Sequence, residues 1–289
     1  MFPSRFEYVA PRSLEEALST LAGRGDEAKV LAGGQSLIPL LKLRFASPAL
    51  IVDLNRVPGL SYLEESDGHL RIGALARNRD VVASQTLEAG YPTIAAAAPL
   101  VSDPIVRNLG TVAGSLAHAD PAGDWGSVML ALGAEVTVRS ASGDRTIPVA
   151  DFLVDTFTTS LEPTEVITEI RVPKPEGSSG GTYLKLERKV GDFATVAVAV
   201  QLALDDGRIG RAGIALTAVG PKNIQAIDAE RSLAGAEPTP ESFQEAARLA
   251  ADAASPISDV RGSADYKRAV VRTFVQRGLD RALELARAS

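Results

Sequence analysis

The residues best suited to chemistry lie in two glycine-containing loops. In the first, Lys29-Val30-Leu31-Ala32-Gly33-Gly34-Gln35-Ser36-Leu37, an apolar strand (28–31) meets two glycines, a polar pair and a helical-looking run to Leu43. Adjacent glycines admit backbone conformations closed to other residues and leave no Cβ to hold off a ligand. Successive N–H groups in such a turn form an electropositive nest that suits phosphate. Ser36 can bond the same ligand or cap the following helix. Taken alone, most strand–Gly–Gly–helix junctions are only tight turns. The second loop, 108–124, contains Thr111-Val112-Ala113-Gly114-Ser115 and then His118-Ala119-Asp120-Pro121-Ala122-Gly123-Asp124. Two such loops could grip the two ends of one pyrophosphate.

Other chemistries fit less well. There is no G-x-x-x-x-G-K-[ST], and Gly207, Gly210 and Gly213 neither form G-x-G-x-x-G nor precede a helix. His118, Asp120 and Asp124 make a poor metal set in a chain with two histidines and no cysteine. Ser36 and Ser115 lie outside any G-x-S-x-G, and a triad would have to recruit His118 or His69. A net charge of −6 argues against nucleic acid, which needs a basic face. Without cysteine, this chain carries no disulfide, thiolate zinc site or iron–sulfur cluster. The N-terminus has no apolar signal region, and no apolar run approaches the ~18 residues of a membrane span, so a cytoplasmic protein is expected.

At 289 residues the chain is long enough for two domains. Ser13-Leu14-Glu15-Glu16 starts a helix with Leu14, Ala17, Leu18 and Leu21 on one face and Gly23 as a stop. With strands at 28–31 and 49–54, the first ~55 residues read as a β-α-β-α-β unit. Lys42 and Arg44 either add charge near a pyrophosphate or belong to a solvated helix face. Hairpins are expected around Ser66-Asp67-Gly68, between strands 60–63 and 70–74, and around Ser142-Gly143-Asp144. Helices are expected from Arg77, over 91–101 and over 124–132, and a strand over 165–172. Trp125 reads as core or interface packing. Pro173 to Gly181 reads as the linker. Beyond it, strands at 182–189, 194–204 and 208–219 and helices at 223–235, 241–254 and 264–287 predict an antiparallel sheet backed by three helices.

The two loops, together with Tyr183-Leu184-Lys185-Leu186-Glu187-Arg188-Lys189-Val190-Gly191-Asp192-Phe193-Ala194, resemble the FAD-binding medium subunits of molybdenum hydroxylases, the carbon monoxide dehydrogenase medium subunit above all. The resemblance covers essentially the whole chain. It implies an α+β fold: a two-subdomain, PCMH-type FAD-binding domain over 1–176 (subdomains about 1–56 and 57–176), then a C-terminal domain over 177–289. It assigns Ala32, Gly33, Gly34, Gln35 and Ser36 to one pyrophosphate contact and Thr111, Gly114 and Ser115 to the other, with His118 and Asp120 in the same loop. Asp124 falls near the ribityl chain or ring, Val30, Leu37 and Ile167 are apolar or backbone contacts, and Lys185 lies at the ring's polar edge. Read without the family, Lys185 is an exposed strand charge. Phe193 stands where relatives often carry tyrosine, Ser115 where they often carry asparagine and Ala113 where they often carry glycine. These changes remove a phenol hydroxyl at 193 and keep positions 113 and 115 small.

The resemblance further implies that this chain transfers electrons through FAD and holds no catalytic residue or metal of its own. An iron–sulfur small subunit with [2Fe–2S] clusters and a molybdopterin large subunit are the implied partners, in a heterohexamer of two heterotrimers. Two rival readings are a stand-alone flavin oxidase or reductase, which would need its own acid–base set, and a non-enzymatic flavin-binding module.

Overall fold

The computed structural model describes residues 2–288; Met1 and Ser289, the outer limits of the expected domains, lie outside the described residues. β1 (Glu7–Val9), α1 (Leu14–Arg24), β2 (Ala28–Leu31), α2 (Leu37–Leu43) and β3 (Leu50–Asp53) follow the expected β-α-β-α-β order. β3 is central and parallel to both neighbours, the arrangement that helical crossovers permit. Ser13 caps α1 by accepting from Glu16 N, and Ala17, Leu18 and Leu21 are buried. The helix does not stop at Gly23. It ends at Gly25, whose φ of 51° supplies the left-handed turn.

β4 (Leu63–Ser66) and β5 (His69–Gly73) make the first hairpin, so Leu60 to Tyr62 lead into the strand and do not form it. α3 (Asn78–Val82), α4 (Gln85–Gly90), α5 (Pro92–Ala97), α6 (Pro104–Leu109), α7 (Val112–His118) and α8 (Asp124–Leu132) follow. The helix expected over 91–101 is α-helical only to Ala97 and tightens to a 3₁₀ turn at Ala98–Leu100, where Pro99 has no N–H to donate. β6 (Glu135–Ser140) and β7 (Gly143–Pro148) form the second hairpin. Its turn is Ala141-Ser142, and Asp144 already pairs with Arg139 across the ladder. α9 (Val149–Phe152), the β8 (Leu153–Asp155) and β9 (Thr158–Thr159) pair, and β10 (Val166–Pro173) complete this part. The five-stranded antiparallel sheet has the order β4-β5-β10-β6-β7.

β11 (Ser178–Leu186), β12 (Val196–Asp205), β13 (Arg208–Thr217) and β14 (Ile224–Gln225) form an antiparallel sheet, followed by α10 (Ile227–Leu233), α11 (Pro240–Ala253) and α12 (Ala264–Ala288). The α+β class and the sheet-plus-three-helices ending are as expected. The linker is not. Only residues 174–177 connect β10 to β11; Ser178 to Gly181 are strand, paired with Leu204 to Gln201 of β12. Their glycines serve packing. A Cβ on Gly180 would lie 2.6 Å from the Ala286 backbone N of α12, and one on Gly181 2.9 Å from Val200 O.

β12 is buried on both faces, and its alternation separates two cores. Ala197 and Ala199 join the core formed with the first two sheets, whereas Val196, Val198, Val200 and Leu202 join the core under α10, α11 and α12. The small face lets α5 and α8 approach. A Cβ on Gly213 of β13 would sit 2.8 Å from the Ala131 carbonyl carbon of α8. Gly213→Ala is therefore expected to destabilise the fold by about 2–3 kcal/mol through overpacking against backbone, read as a lower urea midpoint at unchanged m-value. Among the described residues no helix is long and apolar enough to cross a membrane.

Candidate functional site

The first loop leaves β2 and is folded against the end of α6. A Cβ on Gly33 would overlap the Leu109 carbonyl oxygen and lie 2.8 Å from Gly110 Cα. Gly34 has φ +73°, a conformation that L side chains resist. Gln35 Nε2 donates to Gly33 O at 3.2 Å, and Ile38 N to Gly34 O at 2.9 Å. Among the described residues, no acceptor takes a hydrogen bond from the amides of Gly33, Gly34, Gln35 or Ser36. Four successive unpaired donors make the nest that the sequence pattern suggests. Ser36 enters α2 with helical angles and does not cap it with its side chain, which leaves its hydroxyl available as well. Lys42 and Arg44 are exposed on the far turns of α2, a solvated face.

Thr111 starts the second loop as the N-cap of α7, its Oγ1 accepting from Gly114 N at 3.0 Å. A Cβ on Gly114 would lie 2.6 Å from that oxygen, so this glycine protects a cap. Of the two roles expected of the glycines, Gly34 takes the first, turning the chain, whereas Gly33 and Gly114 leave room for protein contacts, Gly33 for Leu109 and Gly114 for Thr111. Ala119 ends α7 at φ 50°. Asp120 Oδ1 accepts from Ala122 N at 2.9 Å. His118 packs its ring 5.0 Å from that of Phe157, and burial holds its pKa below the ordinary histidine value, so the imidazole is neutral at pH 7.

Asp124, the first residue of α8, receives Tyr183 OH at 2.7 Å on Oδ1 and Lys185 Nζ at 3.0 Å on Oδ2. Lys185 also donates to Leu100 O at 2.9 Å and lies 3.5 Å from Glu187. With a side chain only 1% exposed, Lys185 is no surface charge, and the reading made without the family is overturned. Desolvation raises the Asp124 pKa despite Lys185, and burial holds the Tyr183 phenol far above its usual value, protonated. Ser127 and Thr217, 2.5 Å apart, and Asn223 Nδ2, 3.2 Å from Thr217 Oγ1, continue the polar chain.

The structure thus brings residues 32–36 alongside 109–111, and joins Asp124 to Lys185. Val30 and Leu37 flank the first loop, half-buried. Ile167 is buried in β10 beside a bulge, and Phe193 is 53% exposed, its carbonyl held by Arg261 Nη1 at 2.6 Å. Among the described residues no hydrogen bond ties Ile167 or Phe193 to either loop. Two cavities, of about 100 and 410 Å³, contain no loop residue; the larger lies among Tyr62, Arg71, Arg139 and Glu169. Trp125 is fully buried and donates Nε1 to Asn78 Oδ1 at 3.0 Å, while Asn78 N donates to Gly110 O at 2.9 Å. Asn55, Arg77 and Asn78, all of which brace the loops, carry no motif that would mark them in the sequence.

Residues 4–175 match the family model described as the FAD binding domain in molybdopterin dehydrogenase, and residues 181–282 match the CO dehydrogenase flavoprotein C-terminal domain. The chain belongs to the molybdopterin dehydrogenase flavoprotein family. This flavoprotein is similar to the 6-hydroxypseudooxynicotine dehydrogenase complex subunit alpha of Paenarthrobacter nicotinovorans, 41% identical over 99% of this chain and 97% of the relative. It is similar also to the carbon monoxide dehydrogenase medium chain of Hydrogenophaga pseudoflava, 40% identical over 98% of each. A solved structure of carbon monoxide dehydrogenase from Hydrogenophaga pseudoflava, lacking the Mo-pyranopterin moiety of its molybdenum cofactor, contains a chain that matches the flavoprotein with TM-score 0.95 at 42% identity, covering 99% of both. The resemblance carried by the two loops holds over the whole fold, and the flavoprotein is an FAD-dependent oxidoreductase subunit.

Proposed function

We propose that this chain holds FAD by its diphosphate between the 32–36 and 111–115 loops and passes electrons from an iron–sulfur chain to an external acceptor. The observation that carries this reading is the row of four unpaired amides, Gly33 to Ser36, packed beside the start of the second loop. A diphosphate supplies the acceptors those donors lack, and the Ser36 hydroxyl beside them, which caps no helix, is available to the same ligand. When bound, FAD supplies reversible two-electron storage between one-electron iron–sulfur donors and the acceptor. The chain's own residues bind and orient. The loops fix the diphosphate, and Asp124 and Lys185 form a buried, hydrogen-bonded pair at the junction of α8 and β11. Phe193 offers an exposed aromatic face.

Substrate oxidation is assigned to a molybdopterin large subunit, with clusters on a small subunit, assembled as two heterotrimers in the cytoplasm. Relatives of nearly equal identity are named for carbon monoxide and for 6-hydroxypseudooxynicotine, which favours a substrate choice made outside this chain. The purified chain is expected to show flavin absorbance and to release unmodified FAD on acid treatment. FMN in the supernatant, or flavin covalently retained in the pellet, overturns the cofactor assignment. Small organic substrates are expected to leave the isolated flavoprotein oxidised until the iron–sulfur and molybdopterin chains are added, and rapid reduction without them favours a stand-alone oxidase.

A further inference from the structure

Arg77 touches both loops. Its backbone pairs with Thr111 in an isolated bridge. Its Nη1 donates to Leu109 O, the carbonyl against which Gly33 packs, and its Nη2 donates to Asn55 Oδ1. Asn55 Nδ2 in turn donates to Ala32 O at 2.9 Å. Asn55 is itself held by Asp53 Oδ1, which accepts its backbone N at 2.9 Å, and Tyr8 OH donates to Asp53 Oδ2 at 2.6 Å. One guanidinium therefore links the carbonyl before Gly33 to the carbonyl before Gly110.

The charge on Arg77 is not neutralised. Its acceptors are a backbone carbonyl and an amide oxygen, and among the described residues no carboxylate lies within 4.0 Å of it; Asp80 and Asp53 act on it only at longer range. Burial lowers its pKa below the usual arginine value, yet a guanidinium stays cationic at pH 7. A half-buried cation without an anion is costly. The Leu109 carbonyl that it binds packs on Gly33, the first of four successive amides without acceptors. Both deficits call for the same thing, an anion spanning the two loops.

We propose that Arg77 is a positioning residue for the FAD diphosphate, clamping the two loops at one spacing and supplying the positive charge that the nest alone lacks. The inference rests on the cofactor reading above and adds to it a residue outside both loop motifs.

Deflavinated wild type, Arg77→Met, Arg77→Lys and Asn55→Ala are each titrated with FAD and with riboflavin, which has no diphosphate, following flavin fluorescence at two salt concentrations. Arg77→Met is expected to weaken FAD about 30–100-fold and riboflavin less than about 2-fold, and to flatten the salt dependence of FAD binding. Arg77→Lys keeps the charge but not the two-pronged bond, and falls between wild type and Arg77→Met. Asn55→Ala keeps the charge and loses the tie to Ala32, and weakens FAD about 3–10-fold with the salt dependence unchanged. These two milder variants carry the test if Arg77→Met does not fold. FAD affinity within 2-fold of wild type in the Arg77 variants, or an equal loss for FAD and riboflavin, overturns the proposal. A wild-type chain that binds riboflavin and FAD equally, or neither, sinks the diphosphate reading and this inference with it.

Discussion

Gly33→Ala is expected to leave the protein without FAD. The added methyl meets backbone, the Leu109 carbonyl and Gly110 Cα at 2.8 Å, and backbone cannot swing aside as a side-chain tip can. The first loop must lift away from the second, and the spacing set by Asn55 and Arg77 is lost along with the alignment of four amides. An affinity loss of more than about 100-fold is expected, since a diphosphate held by several charge-assisted bonds loses most of them together. The fold itself is expected to lose about 1–3 kcal/mol, because the core beneath β2 and β3 is untouched. Flavin-to-protein absorbance ratio and far-UV circular dichroism separate the two effects. A stoichiometric flavin content in Gly33→Ala would falsify the role given to the contact between the loops.

Lys185→Met is expected to be the most destabilising single change, by about 3–5 kcal/mol at pH 8, because it strands a buried carboxylate. Asp124 is 8% exposed at its side chain and depends on Lys185 and Tyr183 for partners. Its folded-state pKa lies above its ordinary value because desolvation outweighs Lys185. For a carboxyl raised in this way, the folded state is favoured below the unfolded pKa, and that advantage fades as pH rises through the folded pKa. Removing Lys185 pushes the Asp124 pKa higher still. The deficit of Lys185→Met is therefore largest at alkaline pH and shrinks as pH falls and Asp124 takes up a proton. Urea unfolding at several pH values reads this directly, and a deficit independent of pH would show that lost packing alone is responsible.

The loops were legible in the sequence because Gly34, Gly114, the hydroxyls and the strand–turn–helix order do their work locally, whereas the packing of Gly33 on Leu109 was not. The helix starts at Ser13 and Asp124 and the order of strands were legible for the same reason. What was hidden depends on partners far along the chain. A lysine in a strand reads as solvent-facing, and only an aspartate 61 positions away makes Lys185 a buried ion-pair member. Gly180 and Gly181 read as linker because glycine weakens strands, but the tight approach of α12 and α5 outweighs that preference. Arg77 and Asn55 are 22 residues apart and belong to no motif, so the clamp on the loops emerges only when β3, α3 and α6 are assembled.

The two-faced strand β12 also bears on how the protein is made. The first 175 residues emerge from the ribosome before β11, β12 and β13 exist, at about 5–20 residues per second. Tyr183, Ala194, Ala197, Ala199 and Ala215 belong to the earlier core, so until they arrive the inner faces of α5 and α8 have no cover. The nascent first part must wait with an apolar face open, a natural point for a chaperone to hold it. A chain truncated after β10 carries that open face permanently. The part that binds the cofactor thus completes its own core only after the part that follows it has been synthesised.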